Sequence, residues 1–512
     1  MAIISIKFLI FVIGLLFLYY IFPKKCRWFI LLLGSILFYL LSSGKLIIFI
    51  ILSIISVYLI GLRLTKINNF IKQLDKEDKD VKLKYQKKKK VLLLFGVILN
   101  ILFIVFTKYY NFTVSNINIL SSIFNIKLFE ESKNLILPLG ISYYTLEAIS
   151  YLVDISRGKY DASKNIFKVA LFLLYFPKIT EGPICRFNEL SQELYENNNL
   201  DFNKITIGFD LIILGLFKKM VIADRAGIYV NNIFGNSYGG VTVLLAIVLY
   251  TLQIYAEFSG CIDIVRGVSY LFNVKLPNNF KSPFFSKDVQ EFWRRWHISL
   301  GAWIKEYIFY PISLSKLNMK VMMFSKKHFN DYFYKFISAA FPLLFVWLVN
   351  GIWHGASYKY IFYGMYYYVF MMIGLLLNPV FEWISNKLKI NSKVLDGIHI
   401  VRTIIIVIFG MALFRSSSIS DFFNMIGNIF TEGSGIFGYG LIKIDYIILI
   451  ISSIILLTLD ILSEKNKLDL DGGFTKSIII RSLIYTVLIC TIVIFGIYGE
   501  GYDASNFIYG AF

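Results

Sequence analysis

The chain has 512 residues, of which 57% are hydrophobic and 17% charged, and its mean hydropathy is +0.66. That balance excludes a soluble globular domain and places most of the chain in lipid. A net charge of +19 would point to nucleic acid in a soluble protein; here the excess basic residues lie between apolar runs, the positive-inside pattern of a membrane protein, so no nucleic-acid partner is expected.

In chain order, apolar runs at 3–21, 46–60, 91–106, 446–459 and 478–497 carry few or no charges. They reach or approach the roughly 20 residues that cross a bilayer as helix. Backbone polar groups find no partner in lipid, and these runs are too long for barrel strands, so the fold class expected is an all-α integral membrane protein. The first run shows no small-residue cleavage site before Lys24-Lys25-Cys26-Arg27, which reads as a retained span. Residues 63–90 hold eleven Lys/Arg against four Asp/Glu and read as a cytoplasmic loop. Counting back from it keeps Lys24, Lys25 and Arg27 cytoplasmic and puts the N-terminus outside; 463–476, with Lys465, Lys467 and Lys476, reads as cytoplasmic as well. Cys26, Cys185, Cys261 and Cys490 are dispersed, so neither a disulfide framework nor a metal site is expected.

The middle differs. Between 137 and 303 the apolar runs are shorter, broken by Pro138, Pro177, Pro183, Pro277 and Pro283 and interrupted by charge. Irregular backbone at membrane depth is tolerated where protein buries it or where it lines a cavity, so re-entrant segments around a polar interior are expected. The organisation is read as N-terminal transmembrane helices over 1–136 with their basic loop at 63–90, a catalytic core over 137–380, and C-terminal helices with an aromatic tail over 381–512.

Two segments could carry chemistry. In Phe292-Trp293-Arg294-Arg295-Trp296-His297-Ile298-Ser299-Leu300-Gly301-Ala302-Trp303-Ile304-Lys305-Glu306-Tyr307, a continuous helix would put Trp293, Trp296, Leu300, Trp303 and Tyr307 on one stripe and Arg294, His297 and Lys305 on the next. An interfacial amphipathic helix and a pocket wall both fit that pattern. Val349-Asn350-Gly351-Ile352-Trp353-His354-Gly355-Ala356 closes an apolar span beginning near Ile337 and sets an imidazole at membrane depth between glycines. An ionisable group there is a functional candidate, and a histidine tying two helices together through Asn350 is the alternative. His328 and His399 read as surface residues. An imidazole in a dry site can take a proton from a hydroxyl while an activated acyl donor is kept from water. Gly235-Asn236-Ser237-Tyr238-Gly239 matches a nucleophile elbow in letters only, since no strand-turn-helix context surrounds it, and reads as a loop.

These residues resemble the two signature segments of the membrane-bound O-acyltransferase family: Phe292 to Leu300 followed by Trp303, then Trp353-His354-Gly355. Within it the chain is nearer to the alginate O-acetylation branch, through Leu137-Pro138-Leu139-Gly140-Ile141-Ser142-Tyr143-Tyr144-Thr145, Gly182-Pro183-Ile184-Cys185-Arg186-Phe187 and Leu252-Gln253-Ile254-Tyr255-Ala256-Glu257-Phe258-Ser259-Gly260, and more distant from the branch that D-alanylates teichoic acid. Glu257 stands where alginate-type members carry Asp, and Ile312-Ser313-Leu314-Ser315-Lys316 replaces their glycine pair and arginine.

The resemblance implies a ring of roughly 11–14 transmembrane and re-entrant helices around a tunnel. His354 would be the base and His297 a donor-side residue, with Arg294, Arg295, Trp296, Asn350, Trp353 and Glu257 lining the donor site or tunnel. It further implies a cytoplasmic thioester donor, acetyl-CoA, with no bound cofactor or metal, a secreted or membrane-anchored acetyltransferase partner, and a cell-surface polysaccharide as final acceptor in a membrane-lipid setting. The tail Phe507-Ile508-Tyr509-Gly510-Ala511-Phe512 looks like the aromatic C-terminus of alginate-type members, where Tyr509 would carry the acyl group; an aromatic anchor for the last helix is the other reading. D-alanyl transfer is the alternative chemistry. A lipid-linked glycan transporter or a non-catalytic scaffold is the alternative class, and the absence of a visible internal repeat argues against a transporter.

Overall fold

The computed structural model describes residues 1–75, 77–123, 129, 130, 132, 137–195, 199–433, 435–499 and 502. Among these the regular structure is helical, with isolated bridges of Phe280 to Trp296 and Gly438 to Leu441. Eight helical stretches are long and apolar enough to cross a membrane. Large apolar side chains such as Leu52, Val91, Ile450 and Ile479 are exposed on them, a surface suited to acyl chains and not to water. The protein is an all-α, multi-pass membrane protein.

Two compact units divide the chain: Met1–Phe209 with Val265–Pro277, and Asp210–Ile264 with the described residues from Asn278 onward. In the first, the Ile47–Gln73 helix packs on Lys79–Ile104, Ile141–Arg157 and Ile166–Leu174. Ser53 donates to Asn100 Oδ1 at 2.5 Å and the Asn100 amide to Ser56 at 3.1 Å, polar contacts that tie helices together where apolar burial gives no driving force. The basic stretch 63–90 departs from the loop expected of it. Helix continues to Gln73 and resumes at Lys79, because lysine is a good helix former and a helix leaving lipid can expose charge. Lys89 Nζ, donating to Asn68 Oδ1 at 3.1 Å, ties the two extensions. Gly140 is required: its φ is +68°, and a Cβ would lie 2.0 Å from the Ile179 carbonyl oxygen. Just beyond it, buried Glu147 pairs with buried Lys178 and accepts from the Cys185 amide at 3.0 Å.

In the second unit, a finding corrects the expectation of short, broken apolar runs. Gly240–Leu271 is one helix of 32 residues, of which those up to Ile264 belong to this unit. Glu257 and Asp263 do not interrupt it because they are matched from a neighbouring helix, where Phe217–Ala223 widens into a π turn. Lys218 meets Asp263 at 2.7 Å; Lys219 meets Glu257 at 3.4 Å and Asp224 at 2.8 Å. Glycines allow this approach, since a Cβ on Gly215 would lie 2.4 Å from the Gly260 carbonyl oxygen. Further along, Asp331–His354 and Tyr358–Leu388 form a hairpin. The first starts earlier than the apolar run near 337, because Asn330 caps it by accepting from Phe333 N at 3.0 Å. Ser357 caps the second.

Candidate functional site

The segment 292–307 is not the continuous helix that its stripes suggest. Asp288 caps Val289–Arg295, accepting from Glu291 N at 2.7 Å, and a second helix covers Ile298–Ile304. Between them Trp296 is extended and His297 left-handed, at φ 49° and ψ 51°. Such a conformation costs about 1–3 kcal/mol in a residue with a Cβ. Asn279 holds it in place: its carbonyl accepts from Ile298 N at 3.1 Å and its Oδ1 from Ser299 N at 2.9 Å, while Lys281 N donates to the Arg295 carbonyl at 3.0 Å. The break scatters the tryptophan stripe. Trp293 turns to Trp347 and Tyr367, and Trp296 to Tyr255, Phe280 and Phe292.

The His297 ring instead faces Phe258 at 4.9 Å and Trp353 at 5.8 Å. Trp353 stands 5.0 Å from His354, whose other ring neighbours are Tyr363 at 5.6 Å and Phe414 at 5.3 Å. Both imidazoles are buried, at 2% and 1% exposure. His297 lies outside the membrane-crossing helices, and burial pushes its pKa well below the ordinary imidazole value, leaving a neutral ring at neutral pH. Close packing fixes His354 from below: a Cβ on Gly351 would lie 2.4 Å from the Tyr360 carbonyl oxygen, one on Gly364 2.2 Å from that of Trp347, and one on Gly355 2.3 Å from the Tyr360 ring. Two imidazoles separated by an indole, enclosed by aromatic rings, form a site able to move one proton.

The fold therefore brings together His297, Trp353 and His354, with Asn350 one turn below and buried at 5% exposure. The other candidates sit apart. Arg294 is exposed; Arg295 pairs with Glu291 at 2.6 Å and with Glu464 at 2.5 Å. Trp296, though beside His297 in sequence, packs among other rings, and Glu257 serves Lys219. Tyr509 lies outside the described residues. His328 is exposed at the end of the Lys316–His328 helix and His399 is half-buried on Ser392–Arg415.

Sequence reasoning missed a cavity of about 480 Å³ in the same unit. One wall is a stripe of Gly240–Leu271, namely Tyr255, Ser259 and Asp263, a spacing of four that was there to be read. Facing it, Lys443–Glu464 supplies Leu456 and Asp460, whose carboxylate accepts from the Tyr255 hydroxyl at 2.9 Å. Ile298, next to His297, lines it; neither candidate histidine does.

Residues 50–325 match the model of the membrane-bound O-acyltransferase family. The chain belongs to this family. It is 30% identical over 343 residues to the probable alginate O-acetylase AlgI of Pseudomonas putida, covering 67% of this chain and 65% of that protein. Over 305 residues it is 30% identical to the peptidoglycan O-acetyltransferase of Helicobacter pylori, 54% of each chain, and over 283 residues 29% identical to the teichoic acid D-alanyltransferase of Bacillus subtilis, 52% of this chain and 67% of that one. The match thus spans less than two thirds of the alginate O-acetylase's length. Of the two histidines, His297 falls inside the segment matched by the family model and His354 beyond it.

Proposed function

We propose that this family member is an O-acyltransferase that takes an acetyl group from a cytoplasmic thioester, acetyl-CoA, and passes it toward a cell-surface polysaccharide through a secreted or membrane-anchored acetyltransferase partner. The observation that carries the reading is the enclosed His297, Trp353, His354 cluster, in a chain whose relatives include proteins named as O-acetylases. His354 accepts the proton of the attacking hydroxyl, and the aromatic enclosure keeps water from the thioester. The experiment is mass analysis of the envelope polymers from a strain carrying His354→Ala. Loss of ester-linked acetyl supports the reading, and full acetylation in the variant removes His354 from it.

D-alanyl transfer is the second reading, favoured by the likeness to the Bacillus protein. The same mass analysis separates the two, because acetyl and D-alanyl esters differ in mass and charge. Tyr509 as an acyl carrier remains part of the proposal. Transfer of label from a radiolabelled donor to the wild-type chain but not to Tyr509→Phe supports it; label retained by the variant defeats it.

A further inference from the structure

Asn350 is buried in the last turns of the Asp331–His354 helix, and its amide nitrogen Nδ2 has no hydrogen-bond acceptor among the described residues. Leaving such a donor unmet inside a protein is unfavourable, so it calls for a reason. Its position on the helix supplies one. Residues advance about 100° per step, which puts Trp353 some 60° to one side of Asn350 and His354 some 40° to the other. Trp353 points to His297, and His354 points to Tyr363 and Phe414. Asn350 therefore occupies the meridian between the two imidazole-bearing directions, one turn below His354. The neighbouring Gly351 is pressed against Tyr360, so this part of the helix is held by contact with Tyr358–Leu388.

We propose that the Asn350 side-chain amide is the oxyanion donor of the site, hydrogen-bonding the acyl carbonyl oxygen. The inference rests on the acyl-transfer reading. In the step, the acceptor hydroxyl oxygen bonds to the carbonyl carbon while its proton passes to the His354 imidazole. The carbonyl electron pair moves onto oxygen, where the Asn350 N–H stabilises it. As that pair returns, the carbon–sulfur bond breaks and the thiolate leaves, taking the proton back from the imidazolium. A donor that is unmet in the resting protein and met at the oxyanion strengthens binding where charge develops, which is where it accelerates the reaction.

The test uses the full chain in nanodiscs with radiolabelled acetyl-CoA, envelope polysaccharide and an envelope extract of cells lacking this chain, which supplies the acetyltransferase partner. Asn350→Ala is expected to lower kcat roughly 10²–10³-fold, the effect of removing one oxyanion donor. KM for the donor and the pH at which activity is half-maximal should stay as in the wild type, and Asn350→Ser should recover part of the rate through its hydroxyl. An Asn350→Ala protein of unchanged thermal midpoint with wild-type kcat overturns the proposal, as does a variant whose loss lies wholly in KM or in a shifted pH profile. Should Asn350→Ala fail to fold, Asn350→Leu decides: it keeps the branched shape but has no hydrogen-bond donor, and full activity in it overturns the proposal. A wild-type chain that transfers neither acetyl nor D-alanyl from its thioesters is instead a failure of the acyl-transfer reading.

Discussion

The rings of His297 and Trp353 stand 5.8 Å apart and inclined at 65°, so the indole of one signature segment meets the imidazole of the other. Since Trp353 also stands 5.0 Å from His354, this one side chain sets how far apart the two imidazoles are held. Trp353→Ala is expected to lower stability by about 3–5 kcal/mol, the usual cost of emptying a buried indole site, and to abolish transfer. Trp353→Phe keeps a ring between the imidazoles and should retain most of both. Thermal unfolding and transfer assays on the two variants check this; equal activity in Ala and Phe would show that the spacing does not matter.

A second prediction concerns pH. Burial among rings depresses the His297 pKa, so the unfolded chain binds the proton more readily than the folded one. The stability contributed by the neutral ring is therefore full above the ordinary imidazole value of 6.5 and is lost as pH falls below it, by up to about 1.4 kcal/mol per pH unit. Between pH 7.5 and pH 5 the thermal midpoint of the wild type should fall further than that of His297→Phe. Parallel falls would assign the acid sensitivity to other groups.

The spans and the two histidine segments were legible because they are local: apolar runs and letters at fixed spacing. The break at His297 was not, since Asn279, from a separate loop, takes up the amides of Ile298 and Ser299 and forces the left-handed turn. Nor was the continuity of Gly240–Leu271, whose Glu257 and Asp263 look like interruptions until Lys218 and Lys219 are placed opposite them. The basic stretch 63–90 misled for the opposite reason, because charge marks where a helix leaves lipid and not where it ends. In the cavity, one wall follows a visible spacing of four, but the other comes from residues 456–471, distant in sequence.

The paired charges of Lys218 and Asp263 give a third prediction. Both side chains are buried, at 8% and 6% exposure, and stand 2.7 Å apart. Breaking such a pair leaves one uncompensated charge, so Asp263→Ala is expected to cost about 3–5 kcal/mol. Replacing both, Lys218→Met with Asp263→Leu, removes the stranded charge and should restore most of the stability. Thermal midpoints of the wild type, both single variants and the double variant complete the cycle, and a double variant as unstable as Asp263→Ala contradicts the pairing.

Packing behind His354 supplies the last. The hairpin of Asp331–His354 and Tyr358–Leu388 closes on glycines, and at Gly351 an added Cβ would lie 2.4 Å from the Tyr360 carbonyl oxygen. Backbone cannot move aside as a flexible side chain can, so Gly351→Ala must push the two helices apart and displace the imidazole three residues on. Gly374, on the second of these helices, has nothing within 4 Å of its Cβ position. Gly374→Ala should be neutral or slightly stabilising, because alanine is the better helix former by about 1 kcal/mol. Gly351→Ala should instead lower the thermal midpoint and reduce transfer together. If the two variants behave alike, helix propensity and not the close approach at Gly351 governs this region, and the support proposed for His354 is lost.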